Sequence, residues 1–195
     1  ATLLFDLRMA NGVLHLTDSA GKDLGTAEDA LAAIAGKIIP AFRLTDPATA
    51  APLTELINRH SIGDCFVICA DGALMKKICD ETVCARPVLD RSAVTQADPA
   101  ALFSEATYFG TKRILLPAAT LTQENMLAMH ARSMTVFAML ADGADIADIH
   151  NAIFSAADGI LTADSAAVLN YYRTFTETTI PKSTLIVAHR GDHAA

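Results

Sequence analysis

This sequence is poor in positive charge. Its 195 residues carry 15 Lys and Arg against 22 Asp and Glu, for a formal net charge of −7 and a pI near 5.2. Nucleic-acid binding draws on a basic patch that neutralises phosphates, so a nucleic-acid partner is excluded. Long apolar runs are missing too. None reaches the roughly 18–20 residues that cross a bilayer, and no leader-like segment opens the chain. Gly-rich phosphate loops are absent: neither G-x-G-x-x-G nor G-x-x-x-x-G-K occurs, which disfavours a nucleotide-binding sheet. No G-x-S-x-G elbow is present, so serine hydrolysis has no support. The four cysteines, Cys65, Cys69, Cys79 and Cys84, fit no zinc spacing and read as small apolar residues. Asp142-Gly143-Ala144-Asp145 lacks the bidentate Glu and the ligand spacing of a calcium loop.

What is present is core. Hydrophobic residues make up 52% of the chain and charged ones 19%, the balance of a globular chain large enough for one domain. Short apolar runs alternate with helical patterns throughout. The strand candidates are Thr2–Leu7 with a return at Val13–Leu16, Ile38–Leu44, Cys65–Ala70, Arg86–Asp90, Arg113–Pro117, Thr135–Ala141, Gly159–Thr162 and Thr184–Ala188. Most are continuously apolar, as parallel strands covered on both faces are. Helix starts lie between them. Thr26-Ala27-Glu28-Asp29 resembles a capping box, and Asp46-Pro47 and Asp98-Pro99 set an N-cap residue before a first-turn proline. Thr122-Gln123-Glu124 opens a fourth, and helices are predicted over Ala144–Ala156 and Ser165–Thr174. Eight strands in strict alternation with helices predict an α/β fold, a lean TIM-like (β/α)8 barrel near the lower size limit of about 200 residues.

Several segments then match a known pattern. Thr184-Leu185-Ile186-Val187-Ala188 delivers His189-Arg190-Gly191, and Asp158-Gly159-Ile160-Leu161-Thr162 is the most specific piece. Leu115-Leu116-Pro117, residues 125–131 and Val136-Phe137-Ala138-Met139 precede it in order, and Leu4-Phe5-Asp6-Leu7 is followed by Asn11-Gly12-Val13-Leu14. Together these resemble the glycerophosphodiester phosphodiesterases, TIM-barrel hydrolases whose first strand ends in His-Arg-Gly. The strand order is shifted, because the family's first strand comes last here. Two arrangements fit. In one, Thr184–Ala188 slots beside residue 1 of the same barrel. In the other, residues 1–180 are a degenerate barrel and residues 184–195 begin a following catalytic one, within a longer protein cut before Ala1 and after Ala195.

The resemblance implies phosphoric diester hydrolysis in glycerophospholipid metabolism, a glycerophosphodiester or phosphate-type ligand, and a divalent cation, Mg or Ca, held by carboxylates. Carried over residue by residue, His189 is an acid/base group, Arg190 the phosphate clamp and Asp6 a metal ligand. The rest of the set is replaced. The family's Glu two before that Asp falls at Leu4, its third-strand Glu at Arg43, its second His near Thr17, and its seventh-strand Trp at Met139. His15 lies two residues from Thr17. One carboxylate does not hold a hard cation that wants several oxygens, so no bound metal is expected here and the segment is expected to be inactive by itself. Arg43 reads either as the ion-pair partner of Asp6 or as a phosphate-binding residue of a non-catalytic barrel that supports a neighbouring catalytic domain. Asp90 and Arg91 are expected at the barrel's C-terminal mouth. His60 and His130 read as helix-end residues and His150 as a surface or packing residue. An unrelated barrel isomerase or aldolase needs a catalytic Lys or Glu on a strand end, and Lys112 lies at the wrong end of its strand.

Overall fold

The computed structural model describes residues 2–18, 20–34, 36–60 and 62–179. Thr184–Ala188, His189 and Arg190 lie outside the described residues.

A nine-stranded sheet runs through the molecule in the order β3-β2-β1-β4-β5-β6-β7-β8-β9. Its parallel wall is β1 (Thr2–Ala10), β4 (Ile39–Leu44), β5 (Cys65–Cys69), β6 (Ala85–Asp90), β7 (Arg113–Pro117), β8 (Thr135–Met139) and β9 (Gly159–Leu161). The helices between these strands are α1 (Ala27–Ile34), α2 (Ala50–Arg59), α3 (Gly72–Asp80), α4 (Pro99–Tyr108), α5 (Gln123–His130) and α6 (Ile146–Phe154), with α7 (Ser165–Thr179) after β9. β2 (Val13–Thr17) and β3 (Asp23–Thr26) form an antiparallel arm that folds back on β1 through the Asn11-Gly12 turn, where both residues take positive φ. β3 is an addition to the eight strands expected from the sequence.

The helix starts follow the sequence signals. The Asp98 carboxylate accepts from the Ala100 and Ala101 amides at 3.0 and 3.2 Å. Thr122 and Asn125 form a reciprocal capping box at α5, and the Thr26 hydroxyl accepts from Asp29 N at 3.1 Å at α1. Asp46-Pro47 starts only a three-residue 3-10 turn before α2.

Period-2 alternation splits each strand between two surroundings. Phe5, Phe42, Val67, Leu89, Ile114, Leu116 and Val136 face the helices in one large core. Ala41, Ile68, Val88 and Leu115 face inward with Leu4, Phe66, Phe137, Met139 and Leu161 around them. The sheet curls strongly. Phe66 on β5 and Phe137 on β8 meet edge to face with ring centroids 5.8 Å apart, although in a flat sheet three strand spacings hold them roughly 14 Å apart. Gly159 makes room for this contact, since a Cβ there would lie 2.8 Å from the Phe137 ring. The preceding Asp158 accepts from Val136 N at 2.8 Å and from His130 Nε2 at 3.1 Å, pinning β9 to β8.

The curl does not close among the described residues. β2 pairs residues 6–10 of β1, but residues 2–5 have no strand on that side, and β9 has none beyond it.

Candidate functional site

The C-terminal ends of the parallel strands form the mouth, the end where barrel enzymes carry their chemistry. Asp6 and Arg43 stand there because they continue the inward alternations 2-4-6 and 41-43 on two strands paired in register. Arg43 donates to Asp6 twice, from Nε to Oδ1 at 2.6 Å and from Nη2 to Oδ2 at 2.8 Å. Both side chains are mostly withdrawn from water, at 22% and 16% exposure. These hydrogen bonds hold the guanidinium's pKa above its ordinary value against a desolvation cost, and Asp90 and Asp142 add to the effect through space. The rim therefore sets one cation among several carboxylates.

The other expected positions stand as their residue types require. Leu4 sits one rung below Asp6 and packs on the inward apolar cluster. Thr17 lies opposite Asp6, is buried, and donates its hydroxyl to the Asp6 carbonyl at 3.4 Å. His15 lies opposite Arg8, farther along the β2 arm, where its Nδ1 and the Arg8 guanidinium both reach the Asp23 carboxylate at 3.0 Å. That arrangement lowers the Asp23 pKa, the His15 hydrogen bond first and the Gly25 amide next. The imidazole is thus committed away from Asp6.

A divalent cation does not fit this set. Both Asp6 oxygens are engaged by a guanidinium, Leu4 and Thr17 bring no carboxylate, and among the described residues no group of three or more His, Cys, Asp or Glu converges.

Asp90 and Arg91 part company. Asp90 ends β6 on the inward alternation, and its carboxylate accepts from Ser92 N at 2.9 Å. Arg91 turns to the helix layer instead. Its Nε donates to Glu105 Oε2 at 3.0 Å, its Nη2 to the other Glu105 oxygen, and its Nη1 to the Ala70 and Asp90 carbonyls at 2.9 and 2.6 Å. It ties the ends of β5 and β6 to α4 and does not line the mouth. The pair raises the Arg91 pKa and lowers that of Glu105, through the hydrogen bond before anything else.

The remaining titratable groups have structural partners. His60 reaches Glu28 at 3.1 Å, and His150 meets the Tyr171 hydroxyl at 2.6 Å and stacks on Phe154. Burial pushes the Cys65 thiol up to about 12 and Cys79 up to about 11, which removes them as nucleophiles at neutral pH. Beneath the mouth lies a cavity of about 300 Å³ lined by Thr2, Leu4, Phe66, Phe137 and residues 159–161, among others. Sequence reasoning did not foresee that lumen, nor the Glu105 and Asp142 contributions, because each depends on elements distant in the chain.

No protein-family model and no curated protein matches this chain. Solved structures do. An Oleispira antarctica phosphodiesterase in complex with its product sn-glycerol-3-phosphate superposes with a TM-score of 0.70 at 11% identity, covering 87% of this chain and 83% of that one. A Parabacteroides distasonis glycerophosphodiester phosphodiesterase gives 0.64 at 16% identity, over 88% and 83% of the two chains. A Galdieria sulphuraria protein provisionally described as the same enzyme gives 0.73 at 12% identity, over 87% and 84%. At such identities the likeness is one of fold: this chain has the α/β barrel architecture of the glycerophosphodiester phosphodiesterases.

Proposed function

We propose that this chain is a phosphodiesterase-type barrel domain that does not itself hydrolyse glycerophosphodiesters, the hydrolysis belonging to the longer protein. The observation that carries this is the bidentate Asp6–Arg43 pair. In-line displacement at a phosphodiester needs charge stabilisation of the phosphoryl oxygens and a placed proton donor and acceptor. Here the rim's cation is spent on Asp6, the Asp6 carboxylate is spent in return, and His15 is held by Asp23. Arg43 as a phosphate-binding residue is disfavoured by the same pair and by the nearby Asp90 and Asp142. An acid/base role for His189 and a phosphate clamp at Arg190 remain attached to the hydrolytic activity of the longer protein.

The test is direct. The 195-residue chain is incubated with glycerophosphocholine and Mg²⁺ or Ca²⁺, and glycerol 3-phosphate release is followed. No turnover above the protein-free rate is expected. Sustained release that His189→Ala abolishes overturns the proposal.

A further inference from the structure

We infer that the N-terminal end of the barrel carries a binding site for a small phosphate-type oxyanion, formed by Arg113, Arg86 and the Thr135 hydroxyl. It stands at the opposite end of the strands from the Asp6–Arg43 rim, and it holds whether or not the domain is hydrolytic.

Strand alternation sets these residues together. Val88, Leu115 and Phe137 face inward on β6, β7 and β8. Two residues earlier on the same strands come Arg86, Arg113 and Thr135, so all three share the inner side where the strands begin. Arg113 and Thr135 are paired in register. β6 and β7 pair Leu89 with Ile114, which puts Arg113 level with Val88 and Arg86 one inward step below. Asp64 precedes the inward Phe66 by two residues in the same way. These strands are the middle of the parallel wall, away from its β1 and β9 edges.

The charges at this end do not balance. Arg86 Nε lies 2.8 Å from Asp64 Oδ1, and the guanidinium sits over the Phe66 ring, 5.7 Å from its centroid. That ion pair is poorly aligned, because Asp64 Oδ1 is buried and accepts no hydrogen bond among the described residues. Arg113 has less. It is half-buried, and its guanidinium donates no hydrogen bond to a described residue. Burial lowers its pKa first and the like charge of Arg86 next, with Asp64 and the Cys79 thiol opposing. The thiol is pushed up to about 11 and is uncharged at neutral pH, so among the described residues Asp64 alone offsets two guanidiniums. Folded chains ordinarily pair a cation that is withdrawn from water. The chain as a whole carries −7, and at the other end Asp6, Asp90 and Asp142 surround one Arg43. The sign of the barrel interior therefore reverses from one end to the other.

An oxyanion meets these donors. A guanidinium fork gives two parallel N–H groups to one ligand, and a hydroxyl gives a further bond. The two forks start on different rungs of neighbouring strands, so they reach one ligand along different directions. A tetrahedral phosphate offers acceptors in several planes, and a planar carboxylate in one. Partial burial makes the attraction stronger than that of a fully exposed arginine.

Calorimetric titration of the full chain with sodium phosphate, against sodium chloride at equal ionic strength, tests this. One phosphate is expected to bind per chain. Arg113→Met keeps the apolar stem and removes the charge, and is expected to weaken binding about ten-fold or more. Arg113→Lys keeps the charge without the fork and is expected to weaken it about five-fold, which carries the test if the Met variant does not fold. Acetate is expected to bind about ten-fold more weakly than phosphate. The inference is overturned if the unsubstituted chain binds no phosphate, or if chloride reproduces the heats. Phosphate binding that the Arg113 substitutions leave unchanged overturns it too, and so does acetate that binds as tightly as phosphate.

Discussion

The outer and inner faces of the sheet are finished to different degrees. On the outer face Phe42, Val67, Leu89, Ile114, Leu116 and Val136 are fully buried under helices. The inner face has a four-residue apolar cluster, a lumen of about 300 Å³ and a polar rim in which the Arg43 guanidinium is held by Asp6. The first face sets the fold and is intact. The second carries the polar rim and is less fully packed. The two faces draw on alternate residues of the same strands, so a substitution on one reaches the other only through the shared backbone.

That contrast is open to measurement. The largest effect belongs to the outer face: Phe42→Ala removes a fully buried ring stacked on Phe5 at 6.5 Å and is expected to cost about 3–5 kcal/mol in urea unfolding. A loss below about 1 kcal/mol would show that the helix-facing core is looser than its burial implies. Next comes Gly159→Ala, whose Cβ meets the Phe137 ring at 2.8 Å. It is expected to destabilise by about 2 kcal/mol through overpacking, and Phe137→Leu in the same chain should recover most of that. Asp6→Ala strands the Arg43 guanidinium and is expected to cost about 1.5–2 kcal/mol, whereas replacing both partners, Asp6→Leu with Arg43→Met, should cost less than the single change. If the double variant is the worse of the two, the pair is a stabilising feature in its own right and the inner face is less dispensable than argued.

The smallest effect appears with pH. The Cys65 thiol titrates at about 12 in the folded chain and near its ordinary 9.0 when unfolded. Above pH 9 the unfolded chain releases this proton and the folded one keeps it, so stability falls as pH rises through that window, by about 1.4 kcal/mol per pH unit from this group. Cys65→Ala should flatten that alkaline slope in unfolding midpoints measured from pH 8 to 10, over which the group contributes about 1.4 kcal/mol. An unchanged slope would show that the thiol is more hydrated than its position under the helices suggests.

Much of this was legible in the chain. Apolar runs and capping residues such as Asp98-Pro99 and Thr122 report on their own neighbourhood, so strands, helices and their order could be read. The Asp6–Arg43 pair was readable as one of two options, because both residues fall on inward rungs near strand ends. Arg91 was not. It stands one residue past the end of β6, where alternation no longer fixes direction, and its partner Glu105 lies on a helix that sequence periodicity cannot orient against the strand. The β3 arm was missed because Asp23-Leu24-Gly25-Thr26 is short, polar and exposed, and is held as a strand by its pairing with β2. The lumen needed the curl, which comes from Phe66, Phe137 and Gly159 meeting across three strand spacings.

The charges around the Arg43 guanidinium also bear on how fast anything arrives. Asp6, Asp90 and Asp142 surround Arg43, so the described part of the mouth presents an excess of negative charge to approaching solutes. An anionic ester drifting toward it meets repulsion over roughly a Debye length, about 10 Å at 0.1 M salt. Its encounter rate is slowed in dilute buffer and rises as salt is added, the reverse of the steering that a phosphate-binding cleft exerts. A small cation is favoured under the same field, so the described part of the rim discriminates by charge before any contact is made.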